Sequence, residues 1–312
     1  MRIACLGSTS QIARDLIVTF AKQTDYECTL FARDPSVVEN WLRIENIQKG
    51  YIALDYQKFC NDVCYDVIIN FVGVGDPARA KDMGVDIFDV TLRYDMMVLE
   101  YLQVNPDTKY IFLSSGAVYG GGFEEPVSNE SDAIIPINNL TVIDSYAISK
   151  LYAEARHRAL SDLSIIDVRV FNYFSHMQDF NARFLMTDIV RALQSGEMFF
   201  TSPDNIIRDF ITPVDFFNLI SALINYKPAN MAIDCYTKSP VDKFSLLSEL
   251  KEKHGLRYEV TRSTSSVNAT GAKIKYYSLN KMSDEIGYHP EKTSLEGVLD
   301  EVSLIGELEG IK

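Results

Sequence analysis

Three side chains in this sequence have the chemistry of a proton-transfer centre: the hydroxyl of Ser115, the phenol of Tyr146 and the ammonium of Lys150. A free phenol titrates near 10, and bringing it toward 7 takes roughly 4 kcal/mol of extra phenolate stabilisation. Lys150 stands four residues after Tyr146, in Tyr146-Ala-Ile-Ser-Lys150. On a helix that spacing puts both on one face, where the ammonium favours the phenolate. Such a set can pass a proton while a hydride moves beside it. The same spacing recurs at Tyr277 and Lys281, so the surroundings must decide between the two.

Short apolar runs that alternate with amphipathic stretches supply those surroundings. Residues 3–6, 28–31, 51–54, 67–72, 110–113 and 165–171 read as strands, and 12–22, 37–47, 85–103 and 144–161 as helices. Repeated strand–helix–strand units at this spacing predict an α/β fold, a Rossmann-type doubly wound parallel sheet. Ligands in such sheets bind beyond the carboxyl ends of the strands, where Ser115 falls. After Phe171 the alternation loosens. Helices at 182–194, 214–225 and 242–253, with strand-like runs near 206–211, 231–235 and 257–261, read as a smaller mixed α/β substrate lobe. The expected division is 1–171 and 172–312, with some segments crossing back.

Composition narrows the partners. The 312 residues carry a net charge of −13, which argues against a nucleic-acid surface and against anionic lipid. An anionic ligand must then be held by local cations or backbone amides. Cysteines 5, 28, 60, 64 and 235 and histidines 157, 176, 254 and 289 show no metal-ligand spacing; no metal is expected. The chain opens directly into Arg2-Ile-Ala-Cys-Leu6, and its longest apolar stretch, 67–74, is far short of a membrane span. A cytoplasmic protein that does not cross a membrane is expected.

Gly7-Ser-Thr-Ser-Gln-Ile-Ala13 joins the first strand to the first helix. A turn of this kind brings backbone N–H groups against a pyrophosphate, so Gly7, Ser8, Thr9, Ser10, Gln11 and Ile12 are candidate dinucleotide contacts. Only Gly7 keeps glycine; Ser10 and Ala13 hold the later positions, and the plainer reading is a small-residue helix cap. An acid about 20 residues on would meet a free ribose 2′-OH. Glu27 has that count but sits at the start of its strand, whereas Arg33 stands at the strand's end and suits a 2′-phosphate. NADP is therefore expected ahead of NAD. Asp55, ending the third strand, reads equally as an adenine contact or a plain turn acid. Phe71, Val72 and Gly73, in Asn70-Phe-Val-Gly-Val-Gly75, would let the backbone pass beside the cofactor.

Five segments in order resemble the extended short-chain dehydrogenase/reductase family of NAD(P)-dependent sugar-nucleotide epimerases, dehydratases and reductases. They are residues 7–13, Phe112-Leu-Ser-Ser-Gly-Ala-Val-Tyr-Gly120, Tyr146 to Lys150 with Glu154, Arg169-Val-Phe-Asn172, and Arg208-Asp-Phe-Ile-Thr-Pro-Val-Asp215. Together they span roughly residues 1–220. The resemblance implies that Ser115 hydrogen-bonds the reacting oxygen, Tyr146 transfers its proton, and Lys150 holds the nicotinamide ribose and lowers the phenol's pKa. It implies that Asn172 and Arg208 meet a nucleotide-sugar substrate, Arg208 at the diphosphate; the plainer readings are a strand cap and a surface Arg208–Asp209 pair. It also implies a homodimer through the helices near 85–103 and 144–161, although the apolar surface of the first is equally that of a wide buried face. The chain departs from family 4,6-dehydratases, which place Asp-Glu after the catalytic hydroxyl; Gly116-Ala117 stand here. Tyr173-Phe-Ser-His-Met177 replaces the usual Gly-Pro turn.

The expectation taken forward is an NADP-dependent oxidoreductase that reduces a 4-keto group on a nucleotide-activated sugar, Tyr146 donating the proton. An NAD-dependent sugar-nucleotide 4-epimerase, a non-catalytic cofactor sensor and a reductase of small carbonyl compounds are the alternatives.

Overall fold

A computed structural model describes residues 1–73, 82–182, 184–261 and 273–309. Its centre is a seven-stranded parallel sheet in the order Met231–Asp234, Ile165–Val170, Lys109–Ser115, Val67–Asn70, Arg2–Leu6, Glu27–Phe31, Ile52–Leu54. Alternate side chains on each strand go to opposite faces. Ile3, Cys5, Ile69, Ile111 and Ile166 join one core, which helices Gln11–Gln23 and Pro213–Asn225 cover through Leu16, Phe20, Phe216 and Leu219. Ala4, Leu6, Ile68, Tyr110 and Phe112 join the other, covered by helices Asp86–Val104 and Ser145–Arg158 through Val98, Leu102 and Ala153. Burial on both faces explains why these strands read as continuous apolar runs.

Strand Arg2–Leu6 lies between Val67–Asn70 and Glu27–Phe31. The strand order reverses there, which places the ligand crevice outside the carboxyl ends of these strands. Strand Lys109–Ser115 runs two residues past the expected 113, because Ser114 and Ser115 still pair with Arg169 and Val170. That extension carries Ser115 to the crevice. Strand Val67–Asn70 is shorter than expected: the Asn70 side chain accepts from the Val72 N–H at 2.9 Å and ends it.

The remaining strands are short and local. Asn172–Tyr173 pairs with Phe210–Ile211, Phe199–Thr201 with Tyr258–Val260, and Ile207–Arg208 lies between Val241–Asp242 and Lys275–Tyr276. With helices Leu185–Ser195, Lys243–His254 and Ser294–Glu309 they enclose a second core of Phe174, Ile189, Leu247 and Val298. Residues 213–234 return to the first sheet. The Lys109 ammonium fixes that return, donating to the carbonyls of Leu223, Ile224 and Tyr226 at 2.6, 2.9 and 2.5 Å, where a helix end favours a cation. Among the described residues no helix is long and apolar enough to cross a membrane.

Candidate active site

Gly7 turns the chain out of the first strand at φ +79°, and a Cβ there would come within 2.9 Å of the Phe71 and Val72 backbone. Only glycine allows that approach. Buried Ser8 donates to the Cys5 carbonyl at 2.8 Å, and the Ser10 N–H to Gly7 at 2.8 Å, which closes the turn. Ser10 then caps helix Gln11–Gln23 without a side-chain hydrogen bond. The first amides of that helix therefore keep their capacity for an anion. Thr9 is exposed; Ile12 is half-buried against the core. Gln11 is committed inward, donating to Asp15 at 2.8 Å. Burial pushes the Asp15 carboxyl up to about 6 despite hydrogen bonds from Tyr173, Ser175 and Gln11.

The crevice rim follows the strand ends. Arg33 is exposed, with no ion pair to a carboxylate among the described residues. Asp34 beside it caps the next helix, accepting from Ser36 N–H at 3.0 Å and Ser36 hydroxyl at 2.7 Å. Asp55 is half-buried and accepts from the Gln57 N–H at 2.7 Å, so its carboxylate is at least partly a turn cap. Next to it the Tyr56 hydroxyl accepts from the Gly7 N–H at 3.1 Å, and its ring lies 4.4 Å from that of Tyr94. Phe71 is buried and Gly73 exposed; a Cβ on Gly73 would sit 3.3 Å from the Lys150 ammonium. Val74 and Gly75 lie outside the described residues.

Tyr146, Lys150, Glu154 and His157 lie along one face of helix Ser145–Arg158. Lys150 is buried, donates to the Leu113 carbonyl at 2.7 Å and stands 4.3 Å over the Phe112 ring. Burial lowers its pKa to about 8, against the opposing pull of Asp95, Asp167 and Glu154. Glu154 grips Arg169 at 2.6 Å, and Arg169 reaches the Tyr119 hydroxyl at 2.8 Å. His157 is held between Asp95 at 2.8 Å and Asp167 at 2.6 Å. Burial would discharge it, but the two carboxylates outweigh burial and raise it to about 9.

Ser115 is buried and accepts from the Ala117 N–H at 3.1 Å. It also hydrogen-bonds Tyr146, opposing the rise in phenol pKa that burial causes there. The phenol thus stands above its ordinary value, and the partner that favours its ionisation is Ser115. After Ser115 comes Gly116, where a Cβ would fall 2.4 Å from the Phe171 ring. The space in which an acid would have to stand is already filled.

Beyond the three groups lie two cations. Arg208 donates to the carbonyls of Ile207 and Ile274 at 2.8 and 3.2 Å, and Lys273 stands 4.2 Å over the Tyr276 ring. Burial lowers Arg208 to about 10; burial and Arg208 together lower Lys273 to about 8. Neither meets a carboxylate in an ion pair among the described residues. Asp209 turns inward, accepting from the Thr237 N–H at 3.0 Å, so the surface pair with Arg208 is not formed. Asn172 donates to the carbonyls of Asp209 and Tyr276 at 3.3 and 3.2 Å, holding together the strands that carry Arg208 and Tyr276.

The sequence matches the model of the NAD dependent epimerase/dehydratase family over residues 3–233. The chain belongs to this family. Solved structures of similar fold include UDP-glucuronic acid 4-epimerase from Bacillus cereus in complex with UDP-glucuronic acid and NAD (TM-score 0.78, 16% identity, 99% of this chain and 100% of that). UDP-glucose-4-epimerase from Stenotrophomonas maltophila, with NAD and formylated UDP-arabinopyranose, matches at TM-score 0.81 and 16% identity over all of both chains. dTDP-glucose 4,6-dehydratase from Bacillus anthracis, with NAD, matches at 0.76 and 16%, over 99% and 98%. No curated protein sequence matches.

In this epimerase/dehydratase fold four residues not read from the sequence stand beside the expected ones. Tyr56 and Tyr94 border the Gly7 turn; Lys273 and Tyr276 are carried to Arg208 by a strand only two residues long. Tyr276 is immediately followed by the second tyrosine–lysine spacing, Tyr277 to Lys281. Among the described residues no cluster of His, Cys, Asp or Glu could hold a metal ion.

Proposed function

We propose that this chain is an NADP-dependent reductase of a 4-keto group on a nucleotide-activated sugar. The observation that carries the reading is the convergence of Ser115, Tyr146 and Lys150 beside Gly73, with the cations Arg208 and Lys273 beyond them. The residues suit a dinucleotide. Gly7 leaves a close-approach turn that a Cβ would fill, and the amides of Gln11 and Ile12 open a helix with no side-chain cap, while those of Ser8 and Ser10 already donate to the Phe31 and Gly7 carbonyls. Arg33 would meet a 2′-phosphate, since Asp34 is occupied in capping. Asp55 and Phe71 to Gly73 would line the adenine and ribose side, and Lys150 the nicotinamide ribose.

When bound, the nicotinamide supplies the hydride. The chain supplies the proton and the positions. Tyr146, raised by burial, is protonated at neutral pH and donates to the carbonyl oxygen; Ser115 steadies that oxygen and then the phenolate. Lys150, itself pressed toward neutrality by burial, is charged below about 8 and would hold the nicotinamide ribose. Arg208 and Lys273 neutralise the diphosphate in a protein of net charge −13. Gly116 against Phe171 leaves no place for dehydratase acids, so loss of water from the sugar is not part of the reaction. A cytoplasmic homodimer, covering exposed Met96 and Tyr152 on the two long helices, belongs to the same reading.

An NAD-dependent 4-epimerase is the second reading, favoured by the two 4-epimerases of similar fold that hold NAD. Titration of the purified chain with NADPH and NADH, with mass analysis of nucleotide released on denaturation, separates them. Preference for NADPH, reduced at least tenfold by Arg33→Ala (about 1.4 kcal/mol), supports the reductase; retained NAD overturns it in favour of the epimerase.

A further inference from the structure

Where helices Asp86–Val104 and Ser145–Arg158 meet the sheet, four fully buried polar groups take no part in the proposed reaction: Tyr110, Asp95, His157 and Asp167. Hydrogen bonds join them to the edge of the crevice. The Tyr110 hydroxyl donates to Asp95 at 3.1 Å, and the buried Asn70 amide donates to the Tyr110 oxygen at 2.9 Å. The carbonyl end of the same amide accepts from the Val72 N–H at 2.9 Å.

The directions in this series are forced. A carboxylate only accepts, so the phenol must give Asp95 its single proton. His157 and Arg156 bind the same carboxylate at 2.8 and 3.1 Å and hold it in place as an acceptor. Burial and the Asp95 charge keep the phenol well above its ordinary pKa, so it has that proton to give. The Tyr110 oxygen then has only lone pairs left to offer Asn70. The two ends of an asparagine amide are nearly the same shape, and its hydrogen-bond partners decide which way it faces. Tyr110 takes the NH2 end, which leaves the carbonyl end for the Val72 N–H.

Val72 belongs to the stretch that borders the site on two sides. A Cβ on Gly7 would come within 2.9 Å of the Phe71 and Val72 backbone, and one on Gly73 would stand 3.3 Å from the Lys150 ammonium. We propose that Tyr110 is a positioning residue of the dinucleotide site: by orienting the Asn70 amide it fixes the backbone of Phe71 to Gly73. A reversed amide would set its NH2 against the Val72 N–H, two donors face to face, and would release the segment from both the Gly7 turn and Lys150. The charged cluster around His157 thereby acts on the crevice through two neutral side chains.

This inference rests on the reading that a dinucleotide lies along residues 71–73. The test is calorimetric titration with NADPH and NADH of the full wild-type chain, Tyr110→Phe, Asn70→Ala and the double variant. Tyr110→Phe keeps the ring and removes only the hydroxyl. It is expected to weaken the dinucleotide that binds by about three- to tenfold, the weight of one hydrogen bond, and to leave UDP affinity unchanged. In the Asn70→Ala background the same substitution should change dinucleotide affinity by less than about twofold, because the link has lost its middle member. No weakening in the single variant, or an equal weakening in both backgrounds, overturns the role of Tyr110. A second measurement needs no variant. In the NMR spectrum of the wild-type chain, the Asn70 side-chain amide protons should show their strongest NOE to the Tyr110 ring, and the Val72 amide resonance should shift on saturation with the dinucleotide. A strongest NOE to Val72, or an unmoved Val72 resonance, overturns the proposal equally. If the wild-type chain binds neither NADPH nor NADH, the dinucleotide reading itself falls, and this inference with it.

Discussion

Arg208 and Lys273 repel one another and are stripped of water, as their lowered pKa values record. Two such cations gain when an anion arrives, and each charge-assisted contact contributes about 1.5–3 kcal/mol. Arg208→Ala and Lys273→Ala should each weaken UDP binding by roughly tenfold or more, measured by calorimetry, with NADPH affinity retained. Unchanged UDP affinity in both would remove the diphosphate from this place. At this scale the sequence was informative where a residue sat in a contiguous motif. Ser115, Tyr146, Lys150 and Arg208 were read that way. Lys273 and Tyr276 were not, because a strand as short as Lys275–Tyr276 has no periodicity to read. Asn172 was legible as a position but not as a bond: its amide serves two carbonyls, one of them 104 residues away.

Helix Ser145–Arg158 aligns the site because its inner face is anchored by charge. His157 spans the two helix-facing carboxylates Asp95 and Asp167, with Arg156 and Arg158 on their outer oxygens at 3.1 and 2.8 Å. Its pKa is raised from 6.5 to about 9, so its contribution to stability is fully present below about 6.5. That contribution, about 3 kcal/mol, is lost as pH rises through about 9. His157→Asn should therefore cost most near pH 6.5 and little above 9, read from denaturant unfolding across that range. A cost independent of pH would mean that the imidazole is neutral in the folded state. Helices of three turns or more and the doubly buried strands were legible as elements, within a few residues at each end. The helix Ser294–Glu309 was not, although Val298 and Val302 seal the second core. Its apolar stripe follows a segment with too little regular spacing to mark where it begins.

The molecule as a whole joins a crevice at the sheet's reversal point to a second lobe that supplies cations. Doubly wound topology was legible from the alternation of elements, and the return of Met231–Asp234 to the first sheet was foreseen only as a possibility. Long-range pairing of an edge strand leaves no local signal, since its partner Ile165–Val170 lies more than 60 positions earlier in the chain. Acidic bulk charge with two half-buried cations beside the site predicts that binding of a nucleoside diphosphate weakens with added salt, more gently than for exposed charges. The most direct measurement of the central claim is to mix the purified protein and NADPH with a UDP-4-keto-hexose and follow the nicotinamide absorbance through a single turnover. The account predicts prompt loss of reduced nicotinamide in the wild-type chain and a loss slowed at least about a hundredfold in Tyr146→Phe, the usual weight of a positioned proton donor. Equal rates in the two proteins would contradict it.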